Sequence, residues 1–328
     1  MKKRKVKMTN QKIMVAIFIF AMIFSGTAFS ASRDYPTRQI EVVVPFAPGG
    51  TSDLSARIFS DGLSKRLGVS IVVSNKAGGS GAAGAEYVAN AKPDGYTLLA
   101  PSNTVLITLP LTTPNLSYKW TDLTPIIKIG RIPFIIVTNG DSPFNSMADI
   151  AAFAKKNPGK LNCGITGAGS ANHFNIELWR EKAGIDIGII PYQGGTPALS
   201  AQLGGHIDFS MTNLPVVISL VKAGKLKVLV STAKLKELPQ VPTFGDIGFP
   251  ECNINLWLSI FAPGKIPKEI GEKLIMEAEK TLADPIIVEK LENIGFTVDA
   301  MKAKPFADSI EKEMRILSPV AEKVKKGM

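Results

Sequence analysis

The chain has 328 residues, 45% of them hydrophobic, with 38 lysines and arginines against 28 acids for a formal charge of +10. That length and apolar content suit two domains with substantial cores and exclude a disordered chain. Lys2, Lys3, Arg4, Lys5, Lys7 and Lys12 carry most of the surplus; setting these six aside takes +10 down to +4, too little to argue for nucleic acid.

Those basic residues precede the apolar run 13–24, which is followed by Ala28, Ser30, Ala31 and Ser32. A charged start, a short apolar stretch and small residues make a signal peptide over 1–30, cleaved near 30–32, so the mature chain is expected to be exported. The run is shorter than the ~20 residues a membrane span needs. Cys163 and Cys252 are the only cysteines, and their unlike flanking sequences favour two buried, unpaired thiols.

The first motif in chain order is Pro45-Phe46-Ala47-Pro48-Gly49-Gly50-Thr51-Ser52-Asp53, between a strand-like run 40–44 and a helix whose apolar side is marked by Leu54, Ile58, Leu63 and Leu67. Two glycines permit a tight turn, Thr51 or Ser52 is expected as N-cap, and the helix start presents unpaired N–H groups suited to an anion. A second strand at 70–73 leads into Gly79, Gly81 and Gly84, spaced as G-x-G-x-x-G. The acid that a dinucleotide site needs about 20 residues on is missing from a strand end, so a glycine-rich helix start packed close to the sheet is favoured. After a strand at 96–100, Ser102, Asn103 and Thr104 occupy the strand end where α/β sheets gather ligands, and are candidate site residues. The stretch 109–124, rich in Pro, Thr and Asn, reads as a surface connection. Strands at 126–130 and 134–137 follow, with a first crossing between domains near 130–133.

The second half repeats the opening plan. Ser146 starts a helix stopped by Pro158 and Gly159; then come a strand at 160–165, the turn Thr166-Gly167-Ala168-Gly169-Ser170 and a helix through Phe174, Leu178 and Trp179 to Gly184. Two helix starts, one in each half, could converge on one anion. His173 has no second histidine at helical spacing and no acidic or cysteine cluster near it, so a metal is not expected and a structural role is favoured. No serine sits in G-x-S-x-G. A strand at 187–192 precedes a helix with Thr196 as expected N-cap and Pro197 as its first residue. Strands near 207–211 and 226–231, separated by a helix at 215–223, complete a βα alternation that implies α/β architecture with a mostly parallel sheet. Residues 255–262 make a second crossing. Helices at 267–282, 285–294 and from 305 onward, with a strand at 296–298, finish the chain.

Along nearly all of the mature chain the sequence resembles the substrate-binding proteins of tripartite tricarboxylate transporters, the Bug family of periplasmic solute receptors. The matching stretches are Val44 through Asp53, Ala91-Lys92-Pro93-Asp94-Gly95-Tyr96-Thr97-Leu98-Leu99, Asn157-Pro158-Gly159-Lys160-Leu161, Pro191-Tyr192-Gln193-Gly194-Gly195, Gln240-Val241-Pro242-Thr243, and Trp257 with Ala262-Pro263-Gly264. The resemblance implies a type II periplasmic-binding-protein (Venus flytrap) fold, with 33–130 plus 253–328 as one domain and 131–252 as the other. It implies a small carboxylate gripped in the cleft by backbone groups and ordered water. One jaw is then Phe46, Pro48, Gly49, Gly50, Thr51, Ser52 and Asp53, and the other Gly167, Ala168, Gly169, Ser170 and His173, with Tyr192, Gln193 and Gly194 as further contacts. Asp53 cannot attract a carboxylate, so it is expected to hold its loop or meet a ligand amino or hydroxyl group. The implied protein is a periplasmic monomer with no catalytic residues and no cofactor, partnered by the membrane permease subunits of such a transporter. A ligand sensor, or a NAD-dependent enzyme using the Gly79 motif, are the rival functions. Asn75-Lys76-Ala77 and Leu258-Ser259 depart from the family's usual residues at the expected cleft edge, which leaves the identity of the carboxylate open.

Overall fold

The computed structural model describes residues 35–326; the expected signal peptide lies outside them. The elements below belong to one compact unit that begins at Arg38. It opens with β1 (Ile40–Val44), α1 (Thr51–Leu67), β2 (Ile71–Asn75), a 3-10 turn (Gly79–Gly81), α2 (Ala82–Ala89) and β3 (Thr97–Leu99). A π-helical turn (Thr104–Thr108) runs directly into the short α3 (Leu109–Thr112). The chain then forms β4 (Leu123–Ile132), β5 (Phe134–Asn139), α4 (Met147–Lys156), β6 (Asn162–Ile165), α5 (Ala171–Ala183), β7 (Gly188–Pro191), α6 (Gly195–Leu203), β8 (Phe209–Asn213), α7 (Leu214–Lys222) and β9 (Leu226–Ser231). It closes with β10 (Leu256–Pro263), α8 (Lys268–Leu282), α9 (Pro285–Asn293), β11 (Met301–Lys302) and α10 (Ala303–Lys326).

The strands form two sheets, ordered β11-β4-β10-β3-β1-β2 and β7-β6-β8-β5-β9. Each sheet with its helices is a lobe. β4 ends the chain's first passage through the six-stranded sheet, and after Pro133 β5 enters the five-stranded one; β10 returns to the first sheet. The sheets are mixed, where a mostly parallel sheet was expected. β1 pairs in parallel with β2 and β3, and β6 with β7 and β8. β10 is antiparallel to β3 and β4, and β5 to β8 and β9. The strands that pass between lobes run against their neighbours, and βα periodicity carries no information about that direction.

Three local expectations change. Only Leu63 of the four residues assigned to the apolar side of α1 is fully buried; the buried side also carries Ser55, Ala56, Phe59, Ser60 and Gly62. Ser55 Oγ donates to the Thr51 carbonyl of its own helix, 2.8 Å, so its hydroxyl is satisfied locally. A Cβ on Gly62 would lie 2.8 Å from Thr281 and Ile287, so this is a close helix contact made through small residues. The 109–124 stretch is partly interior: Leu109 and Tyr118 are buried, and the Tyr118 hydroxyl donates to the Val105 carbonyl at 2.7 Å. Finally, 296–298 makes one bridge, Thr297 to Arg131, and the strand lies later at Met301–Lys302. Cys163 and Cys252 are buried free thiols, as expected, and burial holds both thiols well above the ordinary range.

Candidate functional site

The loop between β1 and α1 turns at Gly49, whose φ of +77° favours glycine. The N-cap of α1 is Gly50, extended and without a side-chain cap, so neither Thr51 nor Ser52 caps the helix as expected. The loop is closed from inside the helix by Asp53. Its carboxylate accepts from the Gly49 N–H at 2.9 Å and from Asn75 Nδ2 at 3.0 Å, and pairs with Arg57 at 2.9 Å. Asn75 Nδ2 also reaches the Phe46 carbonyl, 3.0 Å. Burial opposes ionisation of Asp53, but the bonds from Arg57, Gly49 and Asn75 outweigh it and hold the carboxyl below its ordinary range. Asp53 thus holds its loop, one of the two roles open to it.

The loop before α5 is built on the same plan and braced differently. Ser170 is the expected N-cap, its Oγ accepting from the His173 N–H at 3.4 Å. The same hydroxyl donates to Asn172 Oδ1. His173 is buried; its Nδ1 accepts from the Gly169 N–H at 3.0 Å, and Nε2 lies 3.5 Å from Glu177, which Arg180 also pairs at 2.7 Å. This loop presses on the other lobe. Ser80 Oγ donates to the Ala168 carbonyl at 2.8 Å, and the Ala171 N–H donates to Thr104 Oγ1 at 3.1 Å. A Cβ on Gly167 would fall 2.5 Å from Ser80 Oγ, and one on Gly169 2.4 Å from Thr112 Oγ1. Close approach of the lobes requires glycine at both positions.

Between the lobes is a cavity of about 40 Å³. From the six-stranded lobe it is bordered by Phe46, Gly50, Thr51, Ser52, Ser102 and Thr104, and from the five-stranded lobe by Thr166, Gly194, Gly195, Thr212 and Val216, with Phe134 and Leu256 from the crossing strands. Two helices start at its edge, α1 at Thr51 and α6 at Gly195, and the first N–H groups of a helix have no carbonyl within it to bond. The N-cap of α6 is Gly194, where Thr196 was expected; Thr196 Oγ1 instead donates across the lobes to the Pro48 carbonyl at 3.5 Å. Thr51 Oγ1, Ser102 Oγ and Thr212 Oγ1 are buried and have no hydrogen-bond partner in the protein. All three residues line the cavity. Leaving a buried hydroxyl unpaired costs about 1–3 kcal/mol, so three converging on one space point to a polar group that pairs them. None of the lining residues carries a formal charge.

Of the residues singled out from sequence, Phe46, Gly50, Thr51, Ser52, Ser102, Thr104 and Gly194 meet at this cavity. Pro48, Gly49 and Asp53 shape the first loop beside it. Asn103 turns away, its Nδ2 donating to the Asn255 carbonyl at 2.9 Å and to Glu313 at 3.3 Å. Gly167, Ala168, Gly169, Ser170 and His173 make the second loop and its contacts with the other lobe. Tyr192 and Gln193 follow β7, half-buried and exposed. Lys76 and Ser259, placed at the cleft edge by sequence, do not line the cavity: Lys76 Nζ lies 4.1 Å from the centre of the Tyr87 ring, and Ser259 Oγ donates to the Pro101 carbonyl at 3.1 Å. Thr212 was missed, although it stands at the C-terminal end of β8, the position that marked Ser102 after β3. The glycines of the G-x-G-x-x-G stretch serve packing, since a Cβ on Gly84 would lie 2.9 Å from Pro45 Cα and one on Gly81 2.6 Å from Val105. Among the described residues no group of three or more His, Cys, Asp or Glu side chains is placed to hold a metal.

Comparison with known proteins brings these features together. Residues 55–325 match the model of the tripartite tricarboxylate transporter family receptor. Protein BugT of Bordetella pertussis is 33% identical over 313 residues, covering 90% of this chain and 95% of that one. The structure of R. palustris Rpa4515 with adipate is 32% identical with a TM-score of 0.84, over 88% of this chain and 98% of that one. MatC from Rhodopseudomonas palustris with bound malate is 26% identical with a TM-score of 0.80, over 88% and 100%.

Proposed function

The chain belongs to the tripartite tricarboxylate transporter receptor family and has the two-lobed α/β fold of periplasmic binding proteins, and we propose that it captures a small carboxylate between its lobes and delivers it to the permease subunits of such a transporter. The observation that carries this is the set of three unpartnered hydroxyls, Thr51 and Ser102 from one lobe and Thr212 from the other, around one cavity. A carboxylate accepts from all three without a cation, and the starts of α1 and α6 add N–H donors and the positive ends of two helix dipoles. Hydrogen bonds to a charged group contribute about 1.5–3 kcal/mol each, so three or four approach the ~8 kcal/mol of micromolar binding. Because the donors come from both lobes, only the closed arrangement completes the set, and the ligand shifts the population toward closure.

A space of about 40 Å³ holds a carboxylate head and little more. The body of a longer acid, such as the adipate or malate of the two relatives, needs more room than this and therefore a wider separation of the lobes. The moving bodies are 38–132 with 253–326 and 134–252, turning about Pro133 and the residues before β10; the first boundary falls two residues later than expected because Arg131 and Ile132 pair within the six-stranded sheet. The protein acts as a periplasmic monomer after removal of its signal peptide.

A thermal-shift screen with adipate, malate, citrate, glutamate and benzoate, with NAD included, tests this. An acid at ~100 times its dissociation constant adds ~2.7 kcal/mol of stability. A shift with at least one acid and none with NAD is expected; a shift with NAD alone overturns the proposal.

A further inference from the structure

A second and larger space lies on the other side of the strand that returns the chain to the first lobe. Leu256 of β10 borders the small cavity, whereas its neighbour Trp257 lines a groove of about 740 Å³. Successive residues of a strand face opposite ways, so β10 is the wall between the two spaces. The pair Ser102 and Asn103 divides in the same manner: the Ser102 hydroxyl belongs to the cavity, while Asn103 donates to Glu313, which lines the groove. The groove takes walls from both lobes, with Leu178 of α5 on one side and Leu317 and Val320 of α10 on the other. Ile316, 62% exposed, continues this apolar surface to the rim. Its volume falls within the roughly 300–1,000 Å³ of small-molecule sites.

The charges of the groove are unequally compensated. Glu251 is paired with Lys182 at 3.3 Å. Glu313 accepts from Trp257 Nε1 at 2.8 Å and from Asn103, and burial holds its carboxyl above the ordinary range. The two cations, Lys128 and Arg131, share a single acid: Asp299 lies 2.9 Å from Lys128 Nζ and 3.5 Å from Arg131 Nε. Lys128 is nearly enclosed, but the Arg131 side chain is 54% exposed. Its planar fork therefore stands at the mouth of an apolar groove with only a long contact to a carboxylate that Lys128 already holds.

We propose that this groove is a second ligand site, distinct from the cavity between the loops, and that it takes an amphipathic organic anion whose apolar body lies on Trp257, Ile316 and Val320 and whose anionic head pairs with Arg131. The site needs an occupant with both parts. A small hydrophilic acid leaves the apolar wall wet, and a neutral apolar molecule leaves Arg131 with only its long contact to Asp299.

The probe is 8-anilinonaphthalene-1-sulfonate, an aromatic sulfonate whose emission rises on leaving water. It is larger than the 40 Å³ cavity, and spaces of about 550 and 520 Å³ lie elsewhere on the chain, so variants that alter only the groove assign the binding to it. We expect one site per chain, with energy transfer from tryptophan that falls in W257F. R131Q and I316E should each weaken binding roughly fivefold or more, the scale of losing a hydrogen bond to a charged group or an apolar contact. K160Q, which removes an exposed charge outside the groove, should change it by less than about twofold. Arg131 and Ile316 are solvent-exposed, so circular dichroism of R131Q and I316E should show native folding. Absence of saturable binding, or binding that R131Q and I316E leave within about twofold of wild type, overturns the proposal.

Discussion

The loops at the starts of α1 and α5 share one plan in sequence, a strand followed by glycines, a hydroxyl residue and a helix, yet they hold their polar groups in opposite ways. At α1 the brace comes from behind: Asp53, Arg57 and Asn75 tie the loop together, and the Thr51 hydroxyl is left without a partner beside the cavity. At α5 the hydroxyl itself is the cap, Ser170 bonds within its own loop, and His173 holds Gly169. One loop has a donor to offer and the other has used its own. The five-stranded lobe supplies its unpartnered hydroxyl from Thr212 on β8, outside the glycine loop altogether. A glycine-hydroxyl motif before a helix therefore predicts a helix start, and only the surrounding braces decide whether it keeps a free donor.

Substitutions at four positions sharpen the contrast. The largest effect on stability is expected for Gly169→Val, which adds a Cβ 2.4 Å from Thr112 Oγ1 at a φ of +69°. Backbone strain and overpacking should together cost about 3 kcal/mol or more in urea denaturation. Asp53→Ala comes next. It strips partners from Gly49, Asn75 and Arg57 and should cost about 2 kcal/mol, discounted because the Arg57 side chain is 48% exposed. The pH dependence follows from the depressed carboxyl: its contribution is fully present above the unfolded value near 3.8 and is lost as pH falls through the lower folded value. The stability gap between wild type and Asp53→Asn should thus be constant at neutral pH and narrow below about pH 4. Ser170→Ala removes a cap and should cost about 1 kcal/mol in thermal unfolding while changing ligand affinity little. Thr212→Val removes a hydroxyl that has no partner in the protein, so unliganded stability should be unchanged or slightly raised.

Much of this architecture can be read from local pattern. The strand, glycine and helix order around Gly49 and Gly167, the Ser146 and Ser170 caps and the strand Leu226–Ser231 all follow from periodicity and turn chemistry within a few residues. What escapes depends on distant partners. The direction of β5 and β10 is set by how the chain passes between sheets. The interior place of Tyr118 depends on a carbonyl thirteen residues back, Val105, within a stretch whose composition signals surface. The buried side of α1 is hidden by serines such as Ser55, which bonds its own helix and packs as a small side chain. Thr212 was overlooked because it ends a strand without a glycine loop to announce it, although the strand-end rule that marked Ser102 applies to it equally.

The most direct test of a carboxylate held by uncharged donors from both lobes is isothermal titration calorimetry of adipate and malate, or of whichever acid gives the largest thermal shift, against wild type and Thr212→Val. Loss of about tenfold in affinity or more with unliganded stability intact is the expected result, since one hydrogen bond to a charged group disappears and shape is conserved. Equal affinity in the two proteins would contradict the account, because the five-stranded lobe would then close on the ligand without its one unpartnered hydroxyl at the cavity.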